Sequence, residues 1–244
     1  MNLRRSILSL WLPATVLAAW EACVAWGFLD SLFFPPPSRL LAEASRLVRN
    51  GELTTNLQAT LVRLAAGFGV GSALGLLCGV LMGAFKPIRN SLEPLVSGLN
   101  STPKLSLLPM LMLLLGVGET ARVVLVAAAC FVTLAIHGLD AVRGINRHYV
   151  DVARNYDATP VSIFRKVYLP ASLPSVFTGM RLALGRALTI TVGLELVSCP
   201  DGLGSMIWMA WQTFSTEKLY VGVITAALTG VIFHHLLGRL EARL

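Results

Sequence analysis

The sequence predicts an all-helical membrane protein of about six spans, and three observations carry that prediction. Charged residues make up 14% of the chain and hydrophobic residues 55%, whereas a soluble domain carries about a quarter charged residues. The deficit runs along the whole of the 244-residue chain, so lipid is the solvent for most of it. Apolar stretches recur at about 6–28, 61–85, 92–117, 119–139, 171–198 and 219–238, each close to the roughly 20 residues a helix needs to cross a bilayer. Together they form one transmembrane domain over 1–244.

Arg4 and Arg5 precede the first stretch in the manner of a signal peptide. It runs on through Trp20 and Phe28 without a clear small-residue cleavage site, so it reads as an uncleaved span. After Pro35, Pro36 and Pro37, residues 38–50 place Leu40, Leu41, Ala44, Leu47 and Val48 on one helical face and Arg39, Glu43 and Arg46 on the other. Ser38 is suited to cap this helix and Gly51 to end it. Too short to cross, it is expected to lie flat at the outer interface.

The second span carries Gly67, Gly71, Gly75, Gly79 and Gly83, each four residues apart. Such a row opens a groove that admits another backbone. The expected occupant is a helix of the same chain, with a dimer seam as the alternative; Gly69 has no clear role. The third span is interrupted by Asn100, Pro103 and Lys104, which predicts a broken or kinked helix.

Orientation follows from the basic residues. With the N-terminus inside, the inner segments hold Arg4, Arg5, Lys86, Arg89, Arg143, Arg147, Arg154, Arg165, Lys166, Arg239 and Arg243, which is 11, and the outer segments hold Arg39, Arg46, Arg49 and Lys218, which is 4. This bias places both termini in the cytoplasm of a multi-pass bacterial inner (plasma) membrane protein. It also accounts for the net charge of +7 without nucleic acid, since no basic run is interleaved with aromatics.

No constellation for catalysis is present: no phosphate-binding G-x-x-x-x-G-K-[ST], no G-x-G-x-x-G, no H-E-x-x-H and no G-x-S-x-G. Cys23, Cys78, Cys130 and Cys199 form no close pair, so neither a disulfide framework nor a zinc site is indicated. His137 and His148 stand alone, while the adjacent His234 and His235 point to different sides of one helix. The chain is expected to be no enzyme and to bind no cofactor. Energy for moving a solute against its gradient must then come from a partner or a coupled ion.

The inner connection, about 143–170, is the most specific part of the sequence. A helix reaching Tyr156 is followed by Thr159, suited to cap a second helix with Pro160 at its first position. Leu169 and Pro170 are expected to end that helix and redirect the chain into the fifth span. Val152, Ala153, Ile163, Phe164 and Val167 are apolar with no obvious lipid to face, which suits the groove of a protein partner.

This connection resembles the loop signature of binding-protein-dependent ABC importer permeases: Glu-Ala-Ala, three residues, Gly, nine residues, Ile-x-Leu-Pro. Asp151, Val152 and Ala153 stand at the Glu-Ala-Ala positions, Asp157 at the Gly, and Val167, Leu169 and Pro170 at Ile-x-Leu-Pro. The spacing is kept throughout; Asp157 is the departure. Pro103 to Gly118, Leu173 to Glu195 and Gly202-Leu203-Gly204 are similar to the branch importing nitrate, bicarbonate, taurine and aliphatic sulfonates, some of whose relatives carry vitamin precursors.

The resemblance implies a type I importer permease fold that works as a homodimer. It also implies two cytoplasmic ABC ATPase subunits that hold ATP and Mg and take the loop in their grooves. A periplasmic or lipid-anchored binding protein would deliver the solute.

Arg181 and Arg186 on the fifth span are five residues apart, about 140° around a helix, so at most one is expected to point squarely into a central cavity. Glu195 shares Arg181's side but lies about 21 Å further along. A structural pairing with another span and the lining of an anion pathway are both open to these three. The competing reading, an ion-coupled secondary transporter using the same arginines, leaves the docking loop unexplained.

Overall fold

The computed structural model describes residues 3–241, and among these every regular element is helical. In chain order they are α1 Leu3–Ala25, α2 Pro37–Arg49, α3 Glu52–Ala84 and α4 Lys86–Ser101. A 3-10 turn Lys104–Leu107 leads into α5 Leu108–Leu115 and α6 Glu119–Arg143. The loop helices are α7 Arg147–Asn155 and α8 Pro160–Ile163, followed by a π-helical turn Phe164–Tyr168. The chain closes with α9 Leu169–Ser198, α10 Leu203–Gln212 and α11 Thr216–Glu241.

α3, α6 and α11 are each long and apolar enough to cross a membrane, and Pro160–Ser198 with Leu203–Gln212 meets the same test as a pair bent by 46°. Two shorter apolar helices, Trp11–Ala25 and Lys104–Leu115, fall where the first and third spans are expected. The third breaks where the sequence places it: Pro103 has no N–H to continue α4, and the chain restarts through the 3-10 turn.

Two compact units emerge, one from the chain up to Ala59 with Glu195–Ala226, the other from Thr60–Leu194 with the chain from Ala227. In the first, Leu47, Leu53, Leu203, Met206 and Val221 form a core, with Ala44, Leu57 and Ala226 against it. α2 is therefore held by protein along Leu40, Ala44 and Leu47, while Leu41 and Val48 stay exposed. Its start also differs from expectation. Pro36 is the cap and Pro37 the first residue, and Ser38 is held from outside by Glu21, which accepts from its N–H at 3.0 Å and its hydroxyl at 2.7 Å. The Pro-Pro pair already sets the helical entry, so Ser38 lies two positions too late to cap. Gly51 ends the helix as expected, at φ +81°.

In the second unit the glycine row meets α6. A Cβ at Gly67, Gly71, Gly75, Gly79 or Gly83 would fall under 3 Å from α6 atoms, among them the carbonyl oxygens of Ala127, Phe131 and Ala135. The row is thus an intramolecular seam, and the dimer-seam alternative is set aside, because the groove is already filled. Gly69 has nothing within 4 Å.

The expected break at Leu169-Pro170 is absent. A π turn precedes it, and helical structure continues from Pro160 to Ser198 with Pro170 in the first turn of α9. The proline leaves one backbone hydrogen bond unmade, and the wider turn before it relieves the clash with the preceding carbonyls.

Candidate docking loop and translocation cavity

The loop is fixed at both ends of its turn. Asn146 caps α7 by accepting from the His148 N–H at 3.0 Å. α7 stops at a left-handed residue, Asp157, with φ +55°. The Ala158 N–H donates to the Ala153 carbonyl at 3.1 Å and the Asp157 N–H to that of Arg154 at 2.9 Å, the paired closure of a Schellman stop. Thr159 then accepts from the Ser162 N–H at 3.3 Å, with Pro160 opening α8. Asp157 thus holds the conformation a glycine adopts without steric cost, and the bend survives the departure from the signature.

The two faces of the loop differ. Tyr149, Val152 and Tyr156 are 64%, 51% and 84% exposed, and their spacing of three and four places them on one side of α7. Val150 is buried on the opposite side, and Asp151 and Arg154 beside it line a basic cavity. Ala153 and Val167 are half-buried, and Leu169 and Pro170 are exposed at the start of α9. Ile163 is buried, and Phe164 stacks on Phe85 at 6.2 Å. These two, expected in a partner's groove, instead anchor the loop to its own bundle. Tyr149 and Tyr156 do not figure among the residues read from the signature; their helical spacing from Val152 is the signal that identifies them.

A second site lies within the larger unit: a cavity of about 690 Å3 lined by Lys104, Arg181 and Arg186 together with Asn100, Thr133, Thr189 and His234. The last turn of α4 delivers Asn100 and the break after it Lys104, and the Lys104 ammonium donates to the Leu99 and Asn100 carbonyls at 2.9 and 2.6 Å, satisfying acceptors that the end of α4 leaves open. Both fifth-span arginines line the cavity, contrary to the expectation from their 140° separation, because long side chains reach around a helix. Arg181 is ion-paired with Glu241 of α11, which also accepts from the Thr178 hydroxyl at 3.2 Å. Among the described residues no carboxylate lies within 4.0 Å of Arg186. Three cations with one resident counter-ion leave the cavity positive.

Glu195 belongs to the other unit and is fully buried. Its carboxylate accepts from the Gly204 N–H at 3.0 Å at the start of α10, where a helix favours negative charge. The cap residue Gly202, at φ +109°, leaves the room the carboxylate occupies, and its N–H donates to Asn56 at 2.8 Å. With no accessible surface, Glu195 lines no water-filled path here. Glu119 likewise answers two span arginines, accepting from Arg63 at 2.7 and 2.8 Å and from Arg122 at 2.5 Å. Most span charges, in short, are paired with protein.

Comparison with known proteins agrees with this architecture. Residues 71–244 match the family model described as binding-protein-dependent transport system inner membrane component. SsuC of Bacillus subtilis (strain 168), named for the transport of aliphatic sulfonates, is 32% identical over 96% of this chain and 84% of its own length. TauC of Escherichia coli (strain K12), a taurine transport system permease protein, is 26% identical over 99% and 90%. Among solved structures, an inward-facing methionine ABC transporter matches with a TM-score of 0.70 at 18% identity, over 77% of this chain and 94% of that one. A bacterial ABC transporter involved in alginate import matches with a TM-score of 0.69 at 13% identity, over 100% and 99%.

Proposed function

This chain belongs to the binding-protein-dependent transport system inner membrane components, and from that premise we propose that it forms the translocation pathway of an ATP-driven importer for a small anion. A sulfonate, taurine, nitrate or bicarbonate is the class of solute intended. The observation that carries the solute class is the cavity with Lys104, Arg181 and Arg186 on its walls. Fixed positive charge there lowers the cost of moving an anion through a low-dielectric region. The sulfonate and taurine relatives point to the same class. Glu241 bears on release: by holding Arg181 it keeps the attraction below the level at which a solute would stay bound.

Coupling falls to α7. Tyr149, Val152 and Tyr156 offer an apolar, exposed face on a helix locked at both ends, and this face enters a groove on each of two cytoplasmic ATPase subunits. ATP and Mg reside there, and a second copy of this chain completes the pathway opposite a solute-binding protein. Val152→Asp puts an unpaired charge into that contact, at a cost of roughly 2–4 kcal/mol. The variant is expected to insert and fold normally but to lose the ATPase in a detergent pull-down. An ATPase retained by Val152→Asp with normal uptake removes α7 as the docking element.

A further inference from the structure

Behind α7 lies a separate cavity of about 510 Å3. It is built where α3 ends at Ala84 and α6 at Arg143, the ends of two helices long and apolar enough to cross a membrane. Lys86, Arg89, Arg143 and Arg154 line it, with Asp151 and Tyr168. Glu93 accepts from Arg143 at 3.1 and 3.2 Å and lies 4.0 Å from Arg89. Four cations against two carboxylates leave two positive charges in excess, and neither Lys86 nor Arg154 has an ion-pair partner among the described residues. The cavity faces the side of α7 that carries Val150, Asp151 and Arg154. Arg154 is two residues from Val152, roughly 160° around the helix, so an occupant and a partner on the exposed face can be held together.

We propose that this cavity binds a phosphate group, as the headgroup of an anionic lipid or as free phosphate. Basic pockets between helices at a membrane interface take up such groups; guanidinium and ammonium donors match phosphate oxygens, and the excess positive charge is enough to neutralise the phosphate of a lipid headgroup or of free phosphate. Because Asp151 and Arg154 are part of α7, the occupant bears directly on the posture of the docking helix. The site does not depend on the solute or on an ATPase.

Thermal unfolding of the purified full chain in detergent tests this, with phosphatidylglycerol or phosphatidylcholine added to the micelles, or inorganic phosphate to the buffer. The expected result is a midpoint raised by phosphatidylglycerol and not by phosphatidylcholine. Lys86→Gln with Arg154→Gln should raise the concentration needed about tenfold or more, while Arg49→Gln, exposed on α2 and no part of the cavity lining, leaves the response unchanged. Stabilisation by phosphatidylglycerol alone identifies the lipid as the source; stabilisation by inorganic phosphate, lost in the same double variant, identifies free phosphate. If the double variant does not fold, Arg154→Gln alone is read against Arg49→Gln in the same way. Wild-type protein indifferent to both phosphates, equal stabilisation by phosphatidylcholine, or a variant that responds like wild type overturns the proposal.

Discussion

Asp157 occupies a backbone conformation that costs an L-residue free energy and a glycine almost none. Asp tolerates it better than most residues, and two hydrogen bonds from the Schellman closure hold it there. Asp157→Gly should therefore stabilise the end of α7 by about 1 kcal/mol. Amide hydrogen exchange at positions 157 and 158 should slow roughly fivefold, with exchange elsewhere unchanged; faster exchange would show that the Asp side chain contributes more than its backbone strain removes. The signature made this position legible, because the spacing marks where a turn residue must stand. The partners of the span charges were not legible. Glu195 caps α10 and Arg181 pairs with Glu241, 60 residues away, and helix periodicity within one span carries no information about such distances.

Among the elements, α3 and α6 show how far a repeat of small residues predicts packing. The spacing of four gave the groove, and a Cβ at Gly75 would lie under 3 Å from the Phe131 backbone, so α6 cannot yield without moving as a whole. Gly75→Leu should cost about 1–3 kcal/mol and lower the thermal midpoint in detergent by roughly 5–10 °C. Gly69→Ala has open space and gains helix propensity of up to about 1 kcal/mol, so its midpoint should hold or rise. Equal losses from both would mean that helix propensity or lipid contact, rather than the α6 seam, governs the row. α2 and the π turn mark the limits of this kind of reading. Amphipathicity identified α2 but not that Leu40, Ala44 and Leu47 pack on protein while Leu41 and Val48 stay exposed. Leu169-Pro170 read as a break because proline stops most helices, yet one wider turn before it keeps the helix going.

For the whole molecule, composition and the recurring apolar stretches of about 20 residues established a helical membrane protein, since lipid cannot satisfy backbone N–H and C=O groups and a stretch of that length satisfies them within its own helix. The helices and turn of the 143–170 connection were legible because their caps are local in sequence. The cation-lined cavity was not, because its walls come from the break after α4, α6, α9 and α11, and only the folded chain brings Lys104 to Arg186. Under the proposed function, transport needs both features: α7 for the energy and Arg186 for the solute. Uptake of radiolabelled taurine or an alkanesulfonate should measure this directly, using proteoliposomes that contain the chain with its ATPase and binding protein. The expected result is accumulation that requires ATP, is lost in Val152→Asp, and falls about tenfold or more in Arg186→Gln, roughly the loss of one charge-assisted contact, while that variant keeps its ATPase. Accumulation driven by an ion gradient in liposomes holding the chain alone, without ATPase or ATP, would contradict the account.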